Sequence, residues 1–303
     1  MASHNETTMP TLAGSQPDLP WQQQLAQARK NHWLGRHVRA YATCPSTQPL
    51  AWQWVEQGAA HGSVVVSTEQ TAGCGRLQQR QWWTGLGGLA ISIVLRPQHP
   101  SQVQSLGLLA AVGLLDALQK QGLAGKIKWP NDVLLPIPPL CNITPTIGHY
   151  GKWAGILPQS SWNGKQLQAV VLGIGMNVQR PRSLLPSMAQ QAIFLSDLGI
   201  NSSPQLFVKG VLHALQQVLE QSNTATGQQL IARQIKQHCL TLGQQLQMQS
   251  GKETLYGQAM DITPTGALLL RLPDGTQQEV HAGEASIVKS KTACLNATRR
   301  CHE

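Results

Sequence analysis

Lys126-Ile-Lys-Trp-Pro-Asn-Asp132 leads directly into the apolar run Val133-Leu-Leu135. A short apolar run bounded by turn-formers predicts a buried strand, Ile127–Leu135. At its start the rigid, apolar Trp129 and Pro130 stand beside the oxygen-bearing Asn131 and Asp132. Such oxygens suit Mg²⁺ or a polar group of a ligand. A plain strand entered through an Asn-Asp turn would use the same residues, and this stretch alone leaves the two readings even.

Working outward, Val64–Ser67, Leu89–Leu95, Trp153–Leu157 and Ala169–Val178 have the same texture and predict further buried strands. Leu106, Leu109, Val112, Leu115 and Leu118 recur at helical spacing behind a Ser101 cap. A second helix is expected from Pro204, with Val208, Val211, Leu212, Leu215, Val218 and Leu219 on one face, and a third over Gln228–Cys239. The proline-rich Pro136–Tyr150 reads as a surface loop. After Gly243 short alternating runs separated by turns at Thr263–Gly266 and Pro273–Gly275 predict a small antiparallel barrel. The expected organisation is a flexible extension over 1–35, a catalytic α+β domain over 36–239, the barrel over 240–289 and a disordered tail over 290–303.

Composition sets the outer limits. A chain of 303 residues with 41% apolar side chains has material for one substantial domain and a small second one. The net charge of +9 arises from a scarcity of acids, not from a lysine block, so nucleic-acid binding is not the first reading. The six cysteines form no C-x-x-C pair and no regular framework, which disfavours structural zinc and a disulfide scaffold. No signal-peptide pattern and no apolar run of about 20 residues is present, so a soluble cytoplasmic protein is expected.

Three other segments carry chemistry. Glu69-Gln-Thr-Ala-Gly-Cys-Gly-Arg76 leaves a strand and becomes glycine-rich around one arginine. Backbone N–H groups at Gly73 and Gly75 can approach an anion there, with Arg76 as a planar cation and Arg80 as another. A tight turn with a solvated arginine would look the same. Gly151-Lys-Trp-Ala-Gly-Ile-Leu157 places Lys152 at a strand entrance, where it can face a phosphate or serve as an ordinary edge lysine. Gly173-Ile-Gly-Met-Asn177 pairs two glycines before an amide, which fits close approach to a ligand or tight strand packing.

In this order the segments resemble the biotin protein ligase family. Ser46-Thr-Gln stands for its Ser-Thr-Asn, Gly73-Cys-Gly-Arg76 for its Gly-Arg-Gly-Arg loop and Lys128–Asp132 for its Lys-Trp-Pro-Asn-Asp strand. Lys152-Trp-Ala-Gly-Ile156, Gly173–Asn177, Thr265-Gly-Ala-Leu268 and Gly283-Glu-Ala-Ser-Ile287 complete a resemblance running from about residue 40 to 288. It implies a class II synthetase-like core, a mixed β-sheet backed by helices, with an SH3-like C-terminal barrel. It also implies activation of biotin by ATP to biotinyl-5′-AMP, then transfer to a lysine of a biotin carboxyl carrier domain of acetyl-CoA carboxylase. Catalysis would fall to Arg76, Lys152 and Asp132. Biotin would be held by Ser46, Thr47, Gln48, Gln70, Gly73, Arg76, Lys152 and Gly155. The nucleotide would be held by Arg76, Arg80, Trp82, Lys128, Asn131 and Asn177. Asp132 is implied either as base for the incoming lysine or as a ligand of Mg²⁺. A homodimer is compatible with the resemblance.

The sequence departs from the family pattern at several points. Cys74 replaces the loop's first arginine, and Leu77-Gln-Gln-Arg80 replaces an Arg-Gly-Arg continuation. Gln48 keeps the amide of the usual asparagine but reaches further, and Pro158-Gln159 replaces an apolar-Glu pair. The residues before about 35 are too few for a winged-helix domain, so no operator binding is expected. Lipoate ligases and octanoyl transferases share this architecture, but the glycine-arginine loop and the barrel favour biotin. The other alternative is a biotin-binding homologue that has lost catalysis.

Overall fold

The computed structural model describes residues 12–73, 75, 82, 85, 87–97, 100–139, 141, 143–181, 192–250, 253–281 and 284–287. Eight strands form one mixed sheet in the order β1-β2-β3-β4-β8-β7-β6-β5. They are β1 (Gln16–Pro17), β2 (Val38–Cys44), β3 (Val64–Gln70), β4 (Gly88–Leu95), β5 (Lys126–Lys128), β6 (Asp132–Pro136), β7 (Tyr150–Asn163) and β8 (Gln166–Asn177). Only β2 and β3 run parallel, and every other pairing is antiparallel. The single strand expected over Ile127–Leu135 is therefore two strands. The chain reverses at Trp129–Asn131, where the Trp129–Pro130 peptide is cis.

The two faces of this sheet differ. On one, Leu89, Ile91 and Ile93 of β4 and Leu172, Ile174 and Met176 of β8 join a core built with α3 (Ser101–Gln119) and α4 (Pro204–Gln221). Helix α4 starts where Ser203 Oγ accepts the Leu206 N–H, and its Phe207, Val208, Val211, Leu212, Leu215 and Val218 are buried. Each such side chain contributes about 1.5–3 kcal/mol of burial. Gly113 of α3 is what lets α4 approach, since a Cβ there would lie 2.9 Å from Leu215 Cδ2 and 3.1 Å from Leu215 Cα. Helix α3 begins at Ser101 itself with Pro100 in the cap position, so Ser101 opens the helix and does not cap it. On the opposite face, α2 (Thr47–Glu56) covers only part of the sheet, packing Leu50 and Ala51 against Tyr41, Val65, Val94 and Val171.

Much of the extension expected to be flexible over 1–35 is folded. Asp18 caps α1 (Leu19–Arg29) by accepting the Trp21 N–H at 3.0 Å. Trp21 and Leu25 enter the core, and the buried Arg29 donates to Leu34 O and to Gln216 Oε1. The Pro136–Tyr150 stretch expected on the surface also sends Ile143 and Ile147 inward, each only 9% exposed.

After α5 (Ala225–His238), five antiparallel strands form a second sheet in the order β12-β11-β10-β9-β13. They are β9 (Gln245–Ser250), β10 (Glu253–Ile262), β11 (Leu268–Arg271), β12 (Gln277–Val280) and β13 (Glu284–Ile287). Trp129 fastens the two sheets together. Its backbone N–H donates to Thr241 Oγ1 and its indole N–H to Gly266 O, both at 3.0 Å. The disordered tail expected over 290–303 lies outside the described residues.

Candidate active site

The open part of the second sheet face is floored by small residues. Cross-strand partners share a face, and Ala90 faces Gly175, Gly175 faces Gly155, and Gly155 faces Asp132. One step along the strands, Ser92 faces Gly173, and Gly173 faces Leu157. Where most sheet positions would carry a bulky residue, this row leaves a trench across β4, β8 and β7. Trp82 lies in it. A Cβ at Gly175 would collide with Trp82 Nε1, and one at Gly155 would come within 2.9 Å of Trp82 Cζ3. Gly73 holds the indole's backbone in place: the Trp82 N–H donates to Gly73 O at 2.8 Å, and a Cβ at Gly73 would collide with Trp82 O. The indole nitrogen is buried without a protein partner among the described residues.

At one end of the trench Lys152 Nζ lies 2.7 Å from Asp132 Oδ1, a close ion pair that is not aligned as a hydrogen bond. Lys152 Nζ also stands 5.2 Å from the centre of the Trp82 ring. The register explains the pair: β6 and β7 bring Asp132 opposite Gly155, with Lys152 nearby on the same edge. The Asn177 amide donates to Lys152 O at 3.4 Å, and Asn177 O accepts the Trp153 indole N–H at 3.0 Å. Asn131 Nδ2 donates to Ile156 O, pinning the β5–β6 turn to β7.

At the other end stands a buried polar corner. Gln70 Oε1 accepts the Thr47 N–H at 2.8 Å, and Thr47 Oγ1 lies 3.1 Å from Gln70 Oε1 and 2.8 Å from Ser92 Oγ. Ser92 Oγ donates to Gln48 Oε1 at 2.7 Å. Behind this corner, burial pushes the Cys44 thiol up to about 11 and the Tyr41 hydroxyl up to about 12. Both stay protonated and apolar beneath α2.

One cleft thus collects Ser46, Thr47, Gln48, Gln70, Trp82, Asn131, Lys152 and Gly155 from the residues expected in the site. Gly73 supports it from beneath Trp82, and Asp132 through Lys152. Asn177 is buried against the backbone of Lys152 and does not line the cleft, and neither does Lys128. Arg76, Arg80 and Cys74 lie outside the described residues. Sequence reasoning missed Ser92, Ala90 and Leu157 as lining. The available signal was a serine interrupting the apolar β4, opposite one of the two glycines of β8. Among the described residues no group of three or more His, Cys, Asp or Glu could hold a metal.

Residues 40–177 match the biotin/lipoate A/B protein ligase family and residues 241–288 the biotin protein ligase C-terminal domain. The chain is 32% identical over 227 residues to the biotin--[acetyl-CoA-carboxylase] ligase of Paracoccus denitrificans, spanning 73% of this chain and 88% of that one. It is 28% identical over 256 residues to the bifunctional ligase/repressor BirA of Bacillus subtilis, spanning 82% of this chain and 74% of that one. In fold it is similar to the biotin protein ligase from Aquifex aeolicus in complex with biotin and ATP. The TM-score is 0.68 at 24% identity, over 84% of this chain and 100% of that chain. Both sheets, the glycine-floored cleft and the matches across both domains agree: the chain belongs to the biotin protein ligase family.

Proposed function

We propose that this cleft activates biotin with ATP and passes the biotinyl group to a lysine of a carrier domain of acetyl-CoA carboxylase. The observation that carries the reading is one trench with a polar corner at one end and the Lys152–Asp132 pair at the other, separated by a glycine floor. That spacing suits an acid with a polar head and a reactive carboxylate. In the first step a carboxylate oxygen attacks the α-phosphorus, the C(O)–O–P bond forms, and the bond to the departing pyrophosphate breaks. In the second, a lysine amine attacks the acyl carbon, the C–N bond forms, AMP leaves and the amine loses a proton.

Lys152 would meet the negative charge that builds on the carboxylate and phosphate, with Asp132 and Asn177 fixing its position. Asp132 Oδ1 is engaged by Lys152 Nζ at 2.7 Å, so the positioning role for Asp132 is favoured over proton abstraction. Thr47 and Gln70 would bind the ureido head, Gly155 and Gly175 would make room for the Trp82 indole, and Trp82 would stack against the nucleotide. Arg76 and Arg80 keep the anion-binding roles that the resemblance implies. The described residues do not fit a resident magnesium site, because one lysine-paired carboxylate is all they offer. Mg²⁺ therefore enters as part of the ATP substrate.

No helix among the described residues is long and apolar enough to cross a membrane, and the reading places the enzyme with its carrier in the cytoplasm. Biotin-dependent exchange of labelled pyrophosphate into ATP, with lipoate and octanoate in parallel, tests the activity. Exchange with biotin alone is expected. Exchange with lipoate or octanoate instead would move the protein to the neighbouring chemistry.

A further inference from the structure

Gln48 stands where the family carries asparagine, and both ends of its longer amide are bonded within the protein. Gln48 Nε2 donates toward three acceptors, Leu157 O at 3.2 Å and Val171 O and Gln159 Oε1 at 3.3 Å. Gln159 presents oxygen there because Trp52 Nε1–H donates to the same Oε1 at 3.0 Å. Three acceptors around one end settle which end of Gln48 is nitrogen. Gly173 makes the room, since a Cβ there would lie 2.7 Å from Gln48 Oε1. Gln159, the other departure from the family pattern nearby, is thus the partner that the longer amide reaches.

The consequence runs along a chain of hydroxyls. With Oε1 turned to Ser92, the Ser92 hydrogen is committed to Gln48 at 2.7 Å. Ser92 can then only accept from Thr47, 2.8 Å away. The other neighbour of Thr47 Oγ1, Gln70 Oε1, is fixed as an acceptor by the Thr47 backbone N–H. A hydroxyl has one hydrogen, so that of Thr47 is also spent inside the protein. Both side chains line the cleft, and both face it with lone pairs only.

We propose that Gln48 is a positioning residue that sets specificity through Ser92, by making the Thr47–Ser92 hydroxyl pair an acceptor-only wall selecting ligand rings that bear N–H donors. A cyclic urea satisfies such a wall. A ring presenting oxygen or sulfur lone pairs, such as a dithiolane, meets repulsion there. The proposal rests on the biotin reading above and adds the part of the protein that enforces it.

The test compares biotin with its cyclic carbamate isosteres, in which one or the other ureido N–H is replaced by a ring oxygen. Binding is measured by calorimetry and kcat/KM by pyrophosphate exchange. The wild-type protein should prefer biotin. In Gln48→Met, similar in length but without the amide, Ser92 is free to donate to a ring oxygen, and the preference should narrow about tenfold, as expected for one restored hydrogen bond. Gln48→Leu is the second variant and should narrow it similarly. Adding Ser92→Ala to Gln48→Met should abolish the narrowing, because no hydroxyl remains to turn. The KM for ATP should stay constant throughout. An unchanged preference in both single variants, or a narrowing that survives Ser92→Ala, would overturn the proposal. Wild-type protein that neither binds nor activates biotin would instead overturn the underlying reading, and the first arm alone reveals that.

Discussion

The cleft on one face of the large sheet and the cavity on the other make an instructive pair. The second lies between α3, α5 and the β10–β11 turn, lined by Leu106, Leu109, Ile231, Ala232, Ile235 and Ile262 among others. Its volume is about 350 Å³ against about 60 Å³ for the cleft. The larger space is walled mainly by side chains that pack because they are apolar, and among the described residues no Lys, Arg, Asp or Glu lines it. The smaller space is small because Trp82 occupies the trench, and its walls carry an ion pair and a chain of ordered hydroxyls. Polar groups therefore converge on a floor without side chains in the smaller space, and volume alone does not mark a candidate site. Trp129 lies between the two regions, bonded to the turn that borders the cavity and followed, after Pro130, by Asn131 of the cleft.

Substitutions should separate the two regions sharply. Lys152→Met removes the cation and strands Asp132, and pyrophosphate exchange should fall about 10²–10³-fold with little change in thermal stability. Loss of activity under tenfold would take Lys152 out of the reaction. Gly175→Ala puts a methyl group into the space of the Trp82 indole, and the KM for biotin or ATP should rise roughly tenfold or more while the fold persists. Unchanged kinetics would mean that the floor does not touch substrate. Trp129→Phe keeps the ring and deletes the N–H donor to Gly266. Urea denaturation should show a loss of about 1–2 kcal/mol, and a change below 0.5 would mean that the bond adds nothing to the joint between the sheets.

Filling the cavity should have the opposite signature. Ala232→Leu should raise stability by up to about 1 kcal/mol and leave exchange unaltered, whereas a loss of activity would make the cavity part of the reaction. The smallest effect is alkaline. Burial holds the Cys44 thiol near 11 against an ordinary 9.0, so its raised value contributes stability fully present below pH 9. That contribution is lost as pH rises from about 9 through about 11, and Cys44→Ala should flatten this part of the stability profile. An identical slope in the variant would assign alkaline destabilisation elsewhere.

How much of this was legible in advance depended on whether a residue's role was local. The helices at 101–119 and 204–221 follow from apolar periodicity, and β3, β4 and β8 from short apolar runs. Helix α1 is hard to read in the sequence because its buried stripe is only Trp21, Leu25 and Arg29 among glutamines, and an arginine counts as polar until Leu34 O and Gln216 receive it. The stretch over 127–135 reads as one strand because apolar runs on both sides of a reversal look continuous. Lys152 and Asp132 stand in separate motifs, and nothing in their spacing shows that they lie 2.7 Å apart.

By itself the sequence determined the family, the α+β core followed by a small antiparallel sheet, and most of the cleft's residue types, because ordered motifs and hydrophobic period are properties of the chain. The tertiary structure alone decided which groups meet. Sheet register aligned Ala90, Gly175, Gly155 and Asp132 into one row, and brought Ser92 opposite Gly173. It set Asn177 as a brace for the Lys152 backbone, and Gln48 as a clamp on Ser92. Hydrogen-bond direction depends on every neighbour within about 3 Å. Those neighbours here come from strands separated by 20 to 100 residues or more, a distance across which no sequence pattern carries the information.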